Sequence, residues 1–398
     1  MKRVAIPLSL LGFILIGSSN PQESSYERNE RQAQPEQKDI RHEGGGDNRG
    51  LRPLRISRQG RFLVGGRTVS LSGYKDPSIN GDYRVEGTYV RYQWPVEVQY
   101  QYPLIMVHGQ FCTGSPWETT PDGREGWQTR FIRRGAGVYV PDLVSRGRAG
   151  WARPEIWDFD TVSFPTMASS WVTFRMGPEG SYATDPALRR PFVGTQFPIS
   201  SFDAFGLELV PAWSVVTAAR LLLQPAVQKV VEGVGPSILM THSQSGPFGW
   251  HVGAARSDLV KAIVAIEPGR ERAGSPLTSA EIASLARFPI LILYGDFIKG
   301  SAQWTFNRLE NRGIADQIVA AGGDVTFIDL PKMGIFGNTH FIMEDMNSNV
   351  IADIIHCWIV SKNLADDEYN VCTFERGHIA SHIDDEGPQS KDADDNDT

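Results

Sequence analysis

Six short apolar runs set the frame of this chain: Pro103–Val107, Gly137–Val140, Ser237–Met240, Lys261–Ile266, Ile290–Tyr294 and Val325–Ile328. They are rich in β-branched residues, lack polar alternation, and mostly end at Gly, Pro or Asp, as strands buried on both faces do. Helical patterns fill the gaps, at about Pro211–Leu223, Pro247–Ser257, Gln303–Ala321 and Asn347–Ser361. Strand alternating with helix predicts an α/β fold, a mostly parallel central sheet with helices on both faces. Ahead of this core, Phe62–Val64 and Thr68–Leu71 joined by Gly65-Gly66 predict an opening hairpin, and Tyr89–Val98 a further strand.

At 398 residues and 41% hydrophobic, the chain can fill one large core, placed at 53–383. Residues 151–201 break the rhythm: Trp151, Trp157, Phe159, Phe164, Trp171, Phe174, Phe192 and Phe197 lie among prolines with neither a helical nor a strand period. So long an irregular stretch is expected to be a cap or lid, or else a subdomain that packs its own aromatics. A net charge of -7, from 39 basic and 46 acidic residues, provides no phosphate-tracking surface and argues against a nucleic-acid partner. Residues 1–19 read as an export signal, with Lys2 and Arg3 ahead of the apolar run Val4–Ile16 and small residues after it. That run is shorter than the ~20 residues of a membrane span, so no stable membrane insertion is expected. Residues 20–52 read as a polar leader and 384–398 as an acidic tail. Of the three cysteines, Cys357 and Cys372 are the pair that an oxidising compartment would join, although spacing alone leaves all three unpaired as the alternative.

The chemistry centres on Ser237-Ile-Leu-Met-Thr-His-Ser243-Gln-Ser-Gly246, an apolar strand that runs into a turn of small residues and then a helix. In such a turn a serine is forced into a strained, exposed position, and the residues two before and two after it must be small. Ser245 fits; Thr241 stands where glycine is usual. Ser245 is the alternative nucleophile, but that register puts Pro247 two residues after it and lengthens the strand. A serine hydroxyl needs a base, which on this kind of scaffold comes late in the chain. Of eight histidines, His42, His378 and His382 lie near the termini, His108 follows an early strand, His242 adjoins the serine, and His251 and His356 fall in helices. His340 remains, in a Gly-rich loop after the last strand. The carboxylate that would orient it is Glu267 or Asp296, each at the end of a strand. Pattern alone favours Asp296. Backbone N–H groups of Gln244 and of Gln110 or Phe111, in the His108-Gly109 loop, would hold an oxyanion. Trp117 and Trp151 are candidate substrate-binding aromatics.

From about Phe62 to Ser361 the chain resembles α/β-hydrolase esterases, and among them secreted bacterial esterases with adjacent cysteines in the oxyanion loop. The likeness rests on His108-Gly109 with Thr113-Gly114, Trp117-Glu-Thr-Thr-Pro-Asp-Gly-Arg124, Gly126-Trp127, Ser145-Arg-Gly-Arg148, Thr241–Gly246 and Glu267-Pro268-Gly269. The resemblance implies that the acid is Glu267, against the pattern-based choice of Asp296. It also shows a departure: Gln110 and Phe111 occupy the positions of the cysteine pair.

The expectation is therefore a secreted serine esterase acting on a small-molecule ester through Ser243, His340 and Glu267, with no cofactor and no metal. Neither H-E-x-x-H nor a strand-borne G-x-G-x-x-G is present. Acyl transfer or amide hydrolysis on the same fold is one alternative. A non-catalytic protein that binds ligand through the aromatic segment is another.

Overall fold

The computed structural model describes residues 53–157, 162–213, 219–270, 276–368 and 371–373. The expected signal, the whole of the leader, Phe159 and the acidic tail lie outside them. Eight strands form one sheet in the order β1-β2-β4-β3-β7-β8-β9-β10. They are β1 (Ile56–Leu71), β2 (Gly81–Pro95), β3 (Leu104–Val107), β4 (Val138–Asp142), β7 (Ser237–His242), β8 (Val260–Ile266), β9 (Ile290–Tyr294) and β10 (Val325–Asp329). β1 and β2 run antiparallel at one edge, and β4 through β10 are mutually parallel. The expected parallel core is thus present.

Side chains of the central strands alternate between two cores, because successive residues of a strand point to opposite faces. Leu104, Met106, Ile238, Met240, Val264 and Leu291 face one; Ile105, Val107, Leu239, Ile263 and Ile290 face the other. The first core is closed by α2 (Trp127–Arg133), which follows the short α1 (Ser115–Glu118), and by α9 (Ser348–Ser361). The second is closed by α5 (Gln224–Val234), α6 (Ser245–Ala255), α7 (Ser279–Leu285) and α8 (Ala302–Ala320).

Two expectations need correction. Gly65-Gly66 is not a hairpin turn: β1 continues through it, pairing Gly65 with Gly87 and Arg67 with Val85, and the chain reverses only after Leu71. The positive φ values of Gly65 and Gly66 face a positive φ at Glu86 in the partner strand, so both strands bend together without reversing. The helix expected at 211–223 is displaced. Ala212–Trp213 form a short strand, β6, paired with β5 (Val162–Ser163); Ala219–Leu223 form a π-helical turn; regular helix begins at Gln224. Pro225 follows directly on the π-helical turn, in the first turn of the regular helix.

Between β4 and α5 the chain carries α3 (Met167–Thr173), within the segment expected as a cap or lid, and α4 (Phe202–Glu208), just beyond it. Trp171, Phe174, Phe197, Phe202 and Phe205 are buried and join the first core, so much of the aromatic segment serves packing. Cys357 in α9 is bonded to Cys372, and Cys112 is free and buried. No described helix is long and apolar enough to cross a membrane.

Candidate active site

The carboxyl ends of β3, β7, β8 and β9 converge, the usual location of ligand sites in open α/β sheets. Ser243 lies between β7 and α6 with φ at 55°, a left-handed conformation that strains any residue with a side chain. The turn is held by backbone bonds: Ser243 N–H donates to Ile266 O at 3.1 Å, and Ser243 O accepts from Gly246 N–H at 3.0 Å and Gly269 N–H at 2.8 Å. A side-chain carbon on Gly246 would lie 2.5 Å from Pro268 Cβ, so only glycine fits. The position of Thr241 also has a physical explanation. Its methyl group packs toward Gly249 on α6, where an added Cβ would come within 3.0 Å. The glycine missing before the turn is supplied one helical turn beyond it.

Ser245, the alternative nucleophile, is fully buried. Its Oγ accepts from His242 N–H at 2.9 Å and lies 3.1 Å from Val107 O, so it braces the turn.

His340 is also buried, and its Nδ1 lies 3.1 Å from Glu267 Oε2. Donation to that carboxylate requires hydrogen on Nδ1 and leaves Nε2 with a lone pair. Four aromatic rings surround the imidazole: Trp304 at 4.0 Å between centroids, His242 at 4.6 Å, Phe341 edge-on at 5.6 Å and Phe174 stacked at 5.8 Å. Its N–H donates to Phe174 O at 3.0 Å, and its carbonyl accepts from His242 Nε2 at 2.9 Å. Burial, reinforced by the positive charge of Arg175, holds the His340 pKa well below 6.5, so the ring is neutral near pH 7. Burial does the same for His242.

Glu267 ends β8 with φ at 47°, fully buried. Its Oε1 accepts from Arg175 Nη2 at 2.6 Å and from Gly295 N–H at 2.5 Å. Asp296 is engaged elsewhere: its carboxylate accepts from Phe297 N–H at 2.6 Å and Gly337 N–H at 3.0 Å, fixing the loop that carries His340. The geometry thus sets Glu267, rather than the pattern-based Asp296, against the imidazole.

On the other side of Ser243 runs the loop after β3. A Cβ on Gly109 would lie 3.0 Å from Ser243 Cβ, so the backbone approaches the serine as closely as glycine permits. His108 anchors this loop: Nδ1 donates to Gly109 O at 2.8 Å, and Nε2 accepts from Leu143 N–H at 3.2 Å. Burial lowers its pKa to about 4, which keeps both roles at neutral pH. Phe111 has φ at 62°, and its carbonyl accepts from Val210 N–H, just after α4, at 2.8 Å. Gln244 opens α6, where the first N–H groups have no intrahelical acceptor and carry the positive end of the helix dipole.

Trp117 is fully buried, edge-on to His242 at 6.2 Å, and supports that ring from inside. Trp151 packs with Trp157 at 5.5 Å and Trp213 at 5.2 Å, in a cluster separate from the rings around His340. Sequence reasoning did not single out Arg175 or Trp304. The available signal was an arginine in the apolar run Trp171-Val-Thr-Phe-Arg175-Met-Gly. Among the described residues, His356, Asp367 and Cys372 lie close enough to suggest a metal site. However, Cys372 is in a disulfide, and His356 Nδ1 is bonded to Tyr100 OH at 2.7 Å.

The chain is similar to known proteins. A solved structure of a novel bacterial esterase superposes with a TM-score of 0.69 at 30% identity, covering 78% of this chain and 98% of the other. A probable secreted lipase from a fungal species (Fungal sp. strain ATCC 74256) is 28% identical over 339 residues, 71% of this chain and 88% of the relative. No family model matches. The chain belongs to the α/β-hydrolase superfamily, with bacterial esterases of this kind. It is a carboxylic ester hydrolase.

Proposed function

We propose that ester hydrolysis proceeds through a Ser243–His340–Glu267 triad and an acyl-enzyme. His340 Nε2 takes the Ser243 proton as Oγ bonds to the ester carbonyl carbon, and the displaced electron pair resides on the carbonyl oxygen. N–H groups of Gln244 and of Gln110 or Phe111 stabilise that oxyanion. Collapse breaks the bond to the alkoxide, which leaves with the proton from His340. Water then repeats the sequence, releasing the acid and restoring Ser243. The observation that carries this reading is the left-handed serine at the β7–α6 junction, whose neighbour His242 bonds the carbonyl of a Glu267-linked histidine.

Fluorophosphonate labelling followed by mass spectrometry of the modified peptide should identify Ser243. Ser243→Ala should lower kcat by at least about 10³-fold without loss of fold. A label on another residue, or full activity in the variant, overturns the proposal.

Export through residues 1–19 belongs to the same reading. It is supported by the secreted relative and by the Cys357–Cys372 bond, which suits an oxidising compartment.

A further inference from the structure

Arg175 lies outside the Ser-His-Glu set, yet its guanidinium is buried against it. Nη2 donates to Glu267 Oε1 at 2.6 Å, Nε donates to Asp296 O at 2.8 Å, and Cζ lies 5.1 Å from the centre of the Trp304 ring. The Glu267 carboxylate is therefore shared between two side chains, His340 on Oε2 and Arg175 on Oε1, where Gly295 N–H also donates. The residues just before Arg175 are tied to the same place. Thr173 O accepts from Trp304 Nε1 at 2.6 Å, and Phe174 O accepts from His340 N–H at 3.0 Å. Three consecutive cap residues thus grip the base, the acid and the indole that covers the base.

We infer that Arg175 is a positioning residue for ester hydrolysis, fixing the Glu267 carboxylate on His340 Nδ1 and offsetting its charge at the imidazole. The inference rests on the triad reading above. A buried carboxylate beside an imidazole favours the imidazolium, and an imidazolium cannot accept the serine proton. A cation on the opposite carboxylate oxygen weakens that pull while holding the oxygen in place. Several other titratable groups lie around His340. His242 faces it from β7, held neutral by burial; Asp345 bonds the backbone and hydroxyl of Thr339; Asp296 bonds the loop at Gly337; and Tyr294, at the end of β9, donates to Pro268 O. Within this set Arg175 supplies the positive charge, and it acts in the same direction as burial on His340.

The test compares Arg175→Met and Arg175→Lys with the unmodified enzyme, using pH profiles of kcat/KM on a soluble ester and circular dichroism to check folding. Arg175→Met should lower kcat at least about tenfold and move the acid limb upward by about one pH unit, with little change in KM. Arg175→Lys keeps the charge but loses the planar fork, so it should hold the limb near its original position while kcat falls. A Met profile that overlays the original, or a Lys variant that shifts as far as Met or loses no kcat, overturns the inference. Should the Met variant not fold, the Lys profile decides on those same criteria. Fluorophosphonate labelling of the unmodified enzyme separates the two claims: no label on Ser243 sinks the triad, whereas a labelled Ser243 with unmoved profiles sinks only the role of Arg175.

Discussion

At the residue scale, the structure keeps several titratable groups in the uncharged form by burial. Glu344 is the extreme case, fully buried with neither carboxylate oxygen hydrogen-bonded among the described residues. It lies one turn beyond Phe341, whose ring packs at 4.8 Å on Phe205, and Glu208 lies one turn beyond Phe205. Burial, with Glu208 and Asp345 nearby, raises the Glu344 pKa well above the usual carboxylate value. A folded-state pKa above the unfolded one contributes stability in acid that is lost as pH rises through the folded value. Glu344→Gln removes this titration. Its melting temperature relative to the unmodified protein should therefore climb by a few degrees between about pH 5 and pH 9. A pH-independent difference would show that Glu344 is already ionised or that water solvates it. His340 and Ser243 were legible at this scale because elimination and spacing act on individual residues. Glu267 came from resemblance, since both carboxylates follow strands and are told apart by their bonds in the structure, Glu267 to His340 and Asp296 to Phe297 and Gly337. Arg175 was not legible, because its partners are 92 and 121 residues away in sequence.

At the element scale, the junction of β7 and α6 is a matched pair in which a threonine on the strand requires a glycine on the helix. Gly249→Ala should destabilise the fold by about 1–3 kcal/mol, because its methyl group would press on Thr241. Thr241→Ala in the same chain should recover much of that loss, giving a coupling of about 0.5–3 kcal/mol in denaturant titrations. Additive costs would show that Thr241 and Gly249 do not compensate each other. The parallel strands were legible because burial on both faces leaves unbroken apolar runs; the expected Ile290–Tyr294 agrees with the observed strand end to end. The long β1–β2 ribbon was misread. Its exposed outer face carries polar residues at many positions, and two glycines within a strand give the same signal as a turn.

At the scale of the whole molecule, the sheet carries the three residues of the proposed triad, Ser243, Glu267 and the loop of His340, while residues 173–175 bond to two of them. The segment 151–201 stood out in sequence as a break in rhythm, but its bonds to Glu267 and His340 did not, because short irregular segments carry no periodicity from which contacts can be read. Its attachment has a consequence for how esters reach the serine. A roof whose beams are also the braces of the engine cannot be raised while the engine runs. If residues 173–175 swung away, the backbone N–H of His340 would lose its acceptor on Phe174 and the Glu267 carboxylate its guanidinium. On the proposed mechanism, substrate is then expected to enter without movement of residues 173–175, and without an oil–water boundary to trigger it. With a sparingly soluble ester, velocity should saturate smoothly as concentration passes the solubility limit; an abrupt rise at that limit would mean that the roof lifts after all.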